Sequence, residues 1–396
     1  MPAVLLLLQR GTPSSAFLVR ELMTRRASNP RDFPGLGVRG WAHGRRRGRS
    51  ITKMIAGVCA LIYVLHVRRR LLRFSGYPRE GLTAITAMDV ERVLDRRDRN
   101  EAPLQPGCES SIRWVADQGR QSDVAVVFLH GWSASPTELD PVDVDIAARL
   151  GANLIRFRLT AHGLSPNSRG GLAMRDSATR DALLRDVSLA FELGKAAGRR
   201  VVVVGVSTGA SLAAWLSVQP GVASELVAVV LFSPAFALTR IGWRLYSIFK
   251  WLILLVPQPL AIAAIHIATG KVSGQAQAAE LAVSCATEYT DRTTHWPMAA
   301  LLNCVEVYLS AELALRAACA SSSKVRTLIF ANPKDDTVDY EATRRVAATI
   351  SAAELALITT SEHPHVISGN RSPSTSSACT ERAVRFVRDA LVSTCA

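Results

Sequence analysis

Residues 201 to 209, Val-Val-Val-Val-Gly-Val-Ser-Thr-Gly, join a run of four valines to a Gly-x-Ser-x-Gly pentapeptide. The run predicts a buried strand, and the apolar residues that follow Gly209 predict a helix. A sharp turn between a strand and a helix presents a serine as a nucleophile, and glycines beside it remove side chains that would clash. The stretch therefore predicts Ser207 as a nucleophile, with Gly205 and Gly209 supporting the turn.

Short apolar runs alternate with helix-like segments on both sides of this stretch. The predicted strands are 124–129, 153–159, 201–204, 226–232, 325–330 and 355–359. The predicted helices are 141–150, 175–197, 211–218, 340–350 and 381–392. Apolar strands separated by helices are typical of a parallel sheet that is buried on both faces. The expected fold class is therefore α/β, with a mostly parallel sheet and helices on both faces.

The alternation is interrupted by an apolar, tryptophan-bearing insertion at about residues 235 to 322. The length of its most apolar run, residues 251 to 268, would permit a second membrane span. Pro257 and Pro259 interrupt that run, which favours a helical cap over the sheet. A cap with so much apolar surface indicates a lipophilic pocket or a face that contacts lipid.

The net charge of +14 on this chain of 396 residues is concentrated near the N-terminus. Residues 1 to 80 hold 16 Lys and Arg against three acidic residues, and the other 316 residues hold 31 basic and 30 acidic side chains. The near-neutral larger part argues against a nucleic-acid partner. Residues 1 to 50, rich in Arg, Gly, Pro and Ser, predict a disordered basic segment, and they also resemble a transit peptide.

Residues 51 to 72 predict a single transmembrane anchor that begins ITKMIAGVCALIYVLHV and is flanked by arginines. Seventeen helical residues span about 26 Å, near the short end for a bilayer core of roughly 30 Å. An amphipathic helix on an anionic surface is the alternative. We expect a single-pass membrane protein, with 73–120 as a linker with the first strands and 121–396 as the α/β domain.

The side of the membrane depends on where translation starts. With residues 1 to 53 present, the arginine excess lies before the anchor and the domain would be exported. With a start at Met54, the arginines between 68 and 73 would hold the domain in the cytoplasm. Both alternatives remain open at this level, as does the oligomeric state.

The cysteines show neither a Cys-x-x-Cys pair nor a His/Cys cluster at metal-ligand spacing. They stand at positions 59, 108, 285, 304, 319, 379 and 395. This pattern predicts mostly buried free thiols, without a metal or another cofactor. Cys108 and Cys395 would be the exceptions if the domain faces an oxidising compartment.

A serine nucleophile needs a base to take its proton and an acid to orient the base. In parallel α/β sheets these groups follow the serine in the order acid, then histidine, each after a strand. The loop after the fifth predicted strand offers Asp335, which we prefer, and Asp336; an ordinary acidic loop is the alternative. The loop after the sixth offers His365, which we prefer, and His363.

The loop after the first predicted strand reads His130-Gly131-Trp132. Gly131 allows a turn that aims the Trp132 backbone N–H at the nucleophile, and the Thr208 N–H at the helix start supplies a second donor. Two such donors form an oxyanion hole. The indole of Trp132 is then left to line the pocket or to pack.

The chain from about residue 123 to 392 resembles the α/β-hydrolase superfamily. The likeness is strongest to its branch of monoacylglycerol lipases, carboxylesterases and serine-aminopeptidase-like proteins. The matching stretches are FLHGWSAS (128–135), RLTAHGLS (158–165), VVVVGVSTGAS (201–211), FSPAF (232–236), DDTVD (335–339) and HPHVISG (363–369). The resemblance implies an α/β-hydrolase fold and assigns the nucleophile, acid, base and oxyanion donors to the residues preferred above.

Two features of the family pattern concern residues that have no role in catalysis. Ala210 stands where members usually carry a second glycine, which tightens the helix contact without disabling the site. Ala161-His162-Gly163 resembles the family's Gly-His-Gly loop, whose role is structural.

The triplet 295–297, His-Trp-Pro, fits packing within the cap better than a wall of the substrate channel.

The sequence thus predicts a membrane-anchored serine hydrolase that cleaves a lipophilic carboxylic ester through an acyl-enzyme. The expected partners are this substrate and membrane lipid, contacted through the N-terminal helix and the cap. Hydrolysis of an amide, peptide or thioester, acyl transfer, and an inactive membrane-tethered binding protein are the alternatives. Ser207 excludes a haloalkane dehalogenase, which needs an aspartate nucleophile.

Overall fold

One mixed sheet organises the protein in a computed structural model. The residues that this structure describes are 85–101, 103–165, 170–239, 256, 260, 293, 296, 300–318, 325–350 and 353–393. The strands within these ranges are β1 (Ser111–Arg113), β2 (Ser122–Leu129), β3 (Asn153–Phe157), β4 (Gly198–Val206), β5 (Leu226–Phe232), β6 (Arg326–Ala331) and β7 (Ala353–Leu357). Their order is β1-β3-β2-β4-β5-β6-β7. Neighbours run parallel, except that β1 is antiparallel to β3.

The helices of the described residues connect these strands. They are α1 (Val90–Asn100), α2 (Val142–Leu150), α3 (Gly170–Asp176), α4 (Arg180–Ala197), α5 (Thr208–Leu216), α6 (Leu301–Ala318), α7 (Tyr340–Ala347) and α8 (Pro373–Ser393). Short 3-10 helices lie at Ala87–Asp89 and Gly369–Arg371.

The central strand β4 explains why the sheet is apolar on both sides. Val201 and Val203 point into one buried cluster, which they share with residues of α4, α5 and α6. Val202 and Val204 point into a second cluster, which they share with residues of α2 and α8. Because successive side chains of a strand face opposite sides, a run of valines fits only a strand that is covered on both faces. The predicted α/β class is confirmed.

The structure refines several predicted elements. The predicted helix 175–197 corresponds to two helices. The first ends at Asp176, and the second begins after Thr179, whose side chain caps α4 by accepting the Ala182 N–H. The predicted helix 381–392 begins earlier, at Pro373, which suits a helix start because proline lacks the N–H that a first turn leaves unpaired. Helices α1 and α6 have no counterpart among the elements predicted from the sequence.

Helix α1 lies in the stretch that the sequence suggested was a linker, and a buried ion pair joins it to the sheet. The Arg158 side chain, which follows β3, is fully buried. Its Nε donates to Asp98 Oδ1 at 3.0 Å and its Nη1 to Glu101 Oε2 at 2.9 Å. Burial is the largest single influence and opposes ionisation of Glu101, but the charge and hydrogen bond of Arg158 together with the Arg97 charge and the Ala161 N–H outweigh it, so the pKa of Glu101 is lowered. These contacts hold α1 against the loop after β3.

The predicted membrane anchor at residues 51 to 72 and the basic segment before it lie outside the described residues. Among the residues that the structure does describe, no helix has the length and apolar character needed to cross a bilayer. Cys108, Cys304 and Cys379 are buried thiols. Most of the predicted insertion at 235 to 322 also lies outside the described residues, and its well-described element is α6.

Candidate active site

Ser207 occupies a strained turn between β4 and α5. Its φ of 51° and ψ of −110° are unusual for a residue with a side chain, and such strain persists where the surrounding structure enforces it. A Cβ at Gly209 would lie 2.1 Å from the Leu129 carbonyl oxygen, and one at Gly205 would lie 2.6 Å from the Ala210 nitrogen. Glycine is therefore required at both positions that the pentapeptide provides.

A chain of hydrogen bonds connects Ser207 to the preferred histidine and aspartate. His365 Nε2 lies 3.1 Å from Ser207 Oγ, and His365 Nδ1 lies 2.8 Å from Asp335 Oδ2. An ionised carboxylate only accepts, so Nδ1 carries the ring proton and the Nε2 lone pair faces the serine hydroxyl. The three side chains come from the loops after β4, β6 and β7, and all are largely buried.

The second-choice residues lie in the same loops but have other partners. Asp336 Oδ1 accepts the hydroxyl of Thr337 at 3.0 Å. His363 Nδ1 accepts the backbone N–H groups of His365 at 3.1 Å and Val366 at 3.0 Å. Since that nitrogen accepts two hydrogen bonds, His363 shapes the loop that carries His365.

Polar contacts that the sequence did not predict hold the histidine and aspartate loops in place. The Ser233 hydroxyl, directly after β5, donates to the His365 carbonyl at 2.7 Å. Asn332 Nδ2, directly after β6, donates to the Pro364 carbonyl at 3.1 Å. Asp335 Oδ1 also accepts the N–H groups of residues 337 and 338 at 2.8 and 2.9 Å. Residues that follow β5 and β6 thus support the loops that carry Asp335 and His365.

The loop after β2 lies against Ser207, and its Gly131–Trp132 peptide is held in one orientation. A Cβ at Gly131 would be 3.2 Å from Ser207 Cβ. The Gly131 carbonyl accepts from His130 Nδ1 at 2.8 Å and from the Ala134 N–H at 3.2 Å. In a trans peptide the N–H points opposite to the carbonyl, so fixing this oxygen also fixes the direction of the Trp132 N–H.

Glu138 is a further support of this loop that the sequence analysis did not identify. Its Oε2 accepts the Gly131 N–H at 2.6 Å, across seven residues of chain. Gly131 is thereby held through both its N–H and its carbonyl. A glutamate at the end of a polar loop has no distinguishing pattern, and only the folded loop reveals the contact.

The two predicted oxyanion donors are the backbone amides of Thr208, which follows Ser207, and of Trp132, which follows Gly131. Thr208 is the first residue of α5, so its N–H has no partner within the helix. Within the part of the chain that the structure describes, neither this amide nor the Trp132 amide donates to another group. The partial positive charge of a helix N-terminus adds to the Thr208 amide. The Thr208 amide can therefore donate to a negatively charged group next to Ser207.

His130 and His162 are buried uncharged rings beneath the loop. His130 donates from Nδ1 to Gly131 and accepts the Leu159 N–H at Nε2, at 3.0 Å. Burial, and then the neighbouring His162, hold the pKa of His130 well below its ordinary value. His162 Nδ1 lies 2.9 Å from the Thr160 carbonyl, and burial lowers the pKa of His162 to about 4.

An aromatic cluster extends from these rings to the insertion. The Trp132 ring contacts His162 edge-on, with centroids 5.2 Å apart, and Trp296 edge-on at 6.1 Å. Trp296 therefore packs against the loop after β2, and its neighbours 295 and 297 lie outside the described residues. Among the described residues, no group of three or more His, Cys, Asp or Glu side chains could hold a metal ion.

A family model described as "Alpha/beta hydrolase family" matches residues 126–371. A search of curated proteins found no match.

Several solved structures have a similar fold. A structure of the metagenome-derived lipolytic enzymes LipS and LipT is 18% identical over 72% of this chain and 99% of that chain, with a TM-score of 0.51. The monoacylglycerol lipase of Paleococcus ferrophilus is 17% identical over 70% and 98%, with a TM-score of 0.48. A soluble variant of monoglyceride lipase from Saccharomyces cerevisiae is 12% identical over 80% and 99%, with a TM-score of 0.45. At such identities, these likenesses concern the fold alone.

The low pKa of His162 predicts a pH-dependent stability. The unfolded chain takes up a proton on this ring as the pH falls below about 6.5, and the folded protein does so only near pH 4. The free energy of unfolding is therefore highest above this window and falls as the pH decreases through it, by about 3 kcal/mol from this ring. His162→Asn keeps a donor for Thr160 but does not titrate. Urea unfolding of both proteins at neutral pH and near pH 4 should show the larger loss in the wild type, and equal losses would contradict the prediction.

Proposed function

Because the chain belongs to the α/β-hydrolase family, we propose that it is a serine hydrolase that cleaves a lipophilic carboxylic ester. The observation that carries the proposal is the continuous hydrogen-bonded series from Ser207 through His365 to Asp335. A serine hydroxyl becomes a strong nucleophile only when a base lies within hydrogen-bond reach and is itself oriented. The serine, the base and the carboxylate that orients the base would come from the loops after β4, β7 and β6.

In the first half of the proposed reaction, Ser207 Oγ attacks the ester carbonyl carbon and its proton passes to His365 Nε2. Asp335 stays ionised and stabilises the imidazolium. His365 then gives this proton to the departing alcohol, and an acyl-enzyme on Ser207 remains. In the second half, water attacks the acyl carbon, His365 takes and returns a proton in the same way, and the carboxylic acid leaves.

The oxyanion of each tetrahedral intermediate would be received by the backbone N–H groups of Trp132 and Thr208. Removal of one such donor from an oxyanion hole costs roughly 10²- to 10³-fold in rate. The fixed Gly131–Trp132 peptide and the start of α5 would supply both donors before substrate arrives. No reorganisation of the backbone is then needed during the reaction.

The apolar character of the insertion supports a lipophilic substrate. The sequence between 251 and 268 is apolar, and Trp296 from the same insertion lies beside Trp132 in the loop after β2. A medium- or long-chain acyl ester or a monoglyceride fits such a surface. An amide, peptide or thioester substrate, or an alcohol acceptor in place of water, would use the same catalytic groups.

Labelling with a fluorophosphonate and an ester series test this proposal. Wild-type protein should form a covalent adduct and Ser207→Ala should not, because the probe reacts with an activated serine. Hydrolysis of p-nitrophenyl esters should improve as the acyl chain lengthens from acetate, and matched thioesters and aminoacyl amides should react more slowly. Equal labelling of both proteins would contradict the assignment of Ser207. Faster hydrolysis of the amide than of the ester would replace the ester with an amide as the proposed substrate class.

Substitutions within each loop separate the catalytic aspartate and histidine from their neighbours. Asp335→Asn and His365→Gln should each lower kcat by about 10⁴-fold or more, since each disables the base. Asp336→Asn and His363→Asn are matched controls, and each should stay within about tenfold of wild type, because the amide that His363→Asn introduces can still accept the two backbone N–H groups. The kinetics of hydrolysis decide the assignment, and a larger loss in either control than in its partner would reverse it.

We further propose that residues 51 to 72 hold the enzyme at a membrane as a single span, on the strength of their apolar sequence between arginine clusters. Full-length protein should stay in the membrane pellet after alkaline carbonate extraction. Leu61→Arg combined with Val64→Arg should release it, because a charged residue at the centre of a span costs about 3 kcal/mol. Release of the wild type would contradict the anchor.

A further inference from the structure

Two residues from the segment between β5 and β6 contact the neighbourhood of the proposed oxyanion donors, Thr293 through its backbone N–H to Ser133 and Tyr308 through its hydroxyl to the Thr208 side chain. We propose that Thr293 and Tyr308 are positioning residues for the oxyanion hole. Thr293 would hold the donor of Trp132, and Tyr308 would hold the donor of Thr208. The inference rests on the proposed serine hydrolase function and adds that the insertion sets the geometry of its catalytic centre.

Thr293 links the loop after β2 to the loop after β3. Its backbone N–H donates to the Ser133 carbonyl at 3.0 Å. Its Oγ1 accepts the Gly163 N–H at 3.1 Å. The residue is 5% exposed, so both hydrogen bonds are shielded from water and their loss would leave buried polar groups unpaired. A single residue of the insertion thus joins two loops that are separate in the sequence.

The contact with Ser133 bears directly on the Trp132 amide. Ser133 has a φ of 62°, a left-handed conformation that costs a residue with a side chain roughly 1 to 2 kcal/mol. Such a conformation persists when contacts hold it, and the Thr293 N–H is a contact on its carbonyl. On the other side of Trp132, Gly131 is held by His130 and Glu138. The Trp132 amide therefore lies between two fixed residues, and Thr293 fixes one of them.

Trp296 adds a second contact from the same segment. Its ring meets the Trp132 ring at an interplanar angle of 90°, in the edge-to-face arrangement that aromatic pairs favour. The side chain of Trp132 is thus packed against the insertion while its neighbour Ser133 is hydrogen-bonded to it. Displacement of this segment would release both restraints.

The other donor is held from α6. The Tyr308 hydroxyl lies 2.9 Å from Thr208 Oγ1 and 2.7 Å from Cys304 Sγ. These three side chains are buried. Burial raises the pKa of the Cys304 thiol to about 12, so the thiol keeps its proton and can donate in this network. Because Thr208 is the first residue of α5, a fixed side chain restricts rotation of its backbone amide.

Conservative substitutions of Thr293 test its part. Thr293→Val keeps the shape and the backbone N–H that bonds Ser133, but it removes the acceptor for Gly163, which is the side-chain contact that holds Thr293 in place against Ser133. Thr293→Ser keeps this acceptor. We expect Thr293→Val to lower kcat about tenfold with KM within about twofold, a fraction of the loss caused by removing an oxyanion donor. Thr293→Ser should stay within about twofold of wild type. The dissociation constant of a trifluoromethyl ketone, which forms an oxyanion adduct with an active serine, should rise about tenfold in Thr293→Val and stay unchanged in Thr293→Ser.

Substitutions in α6 test the second part. Tyr308→Phe removes the hydroxyl that bonds Thr208, and we expect kcat and trifluoromethyl ketone affinity to fall together by about fivefold. Ser310→Ala is the matched control, because Ser310 is buried in the same helix but bonds its own helix at Glu306. It should leave kcat, KM and inhibitor affinity unchanged. Thermal unfolding shows which variants are folded at the assay temperature.

The outcomes separate this inference from the proposed function. Wild-type protein that neither binds the ketone nor reacts with a fluorophosphonate would refute the serine hydrolase itself. An active wild type whose folded Thr293→Val and Tyr308→Phe variants keep their kcat and ketone affinity would overturn the positioning role alone. A rise in KM with unchanged kcat would also overturn it, since the residues would then act in substrate binding. If Thr293→Val does not fold, Tyr308→Phe decides by the same criteria.

Discussion

The close approach of two backbones at Gly209 is the contact on which the site depends. The first turn of α5 lies so near the end of β2 that a single added carbon at Gly209 would be 2.1 Å from the Leu129 carbonyl oxygen. This contact forces the strained turn at Ser207 and brings the loop after β2 against the serine. The nucleophile and the proposed oxyanion donors are therefore placed by one packing arrangement. A side chain at this position would separate them.

The parallel sheet explains why residues far apart in the chain meet at this point. The strands β2, β4, β6 and β7 all end at the same edge of the sheet, and each is followed by a loop that contributes to the site. Hydrogen bonds between these loops, such as those from Ser233 and Asn332, then determine where His365 and Asp335 stand. The sheet gathers the loops within reach, and polar contacts of about 3 Å complete the alignment.

The buried ionisable groups beneath the site are either neutral or paired with an opposite charge. His130 and His162 are fully buried, and their lowered pKa values keep both rings neutral at physiological pH. A neutral His130 can donate from one nitrogen and accept at the other, which is what its two contacts require. The charge of Arg158 is instead matched by Asp98 and Glu101 on α1. The segment before the sheet thus completes the electrostatic balance of the loop after β3.

The sequence by itself determined the α/β class, the position of the central strand and the candidate nucleophile, because these depend on local patterns. The run of valines and the two glycines around Ser207 suffice for them, and β5 begins and ends where its apolar run does. The order of loops also narrowed the acid and base to two candidates each. Only the tertiary structure decided that His365 faces Ser207 while His363 supports the loop. It alone revealed Glu138, Thr293 and Tyr308, since each acts through a hydrogen bond to a residue that folding brings near, and such contacts leave no periodic pattern in a chain.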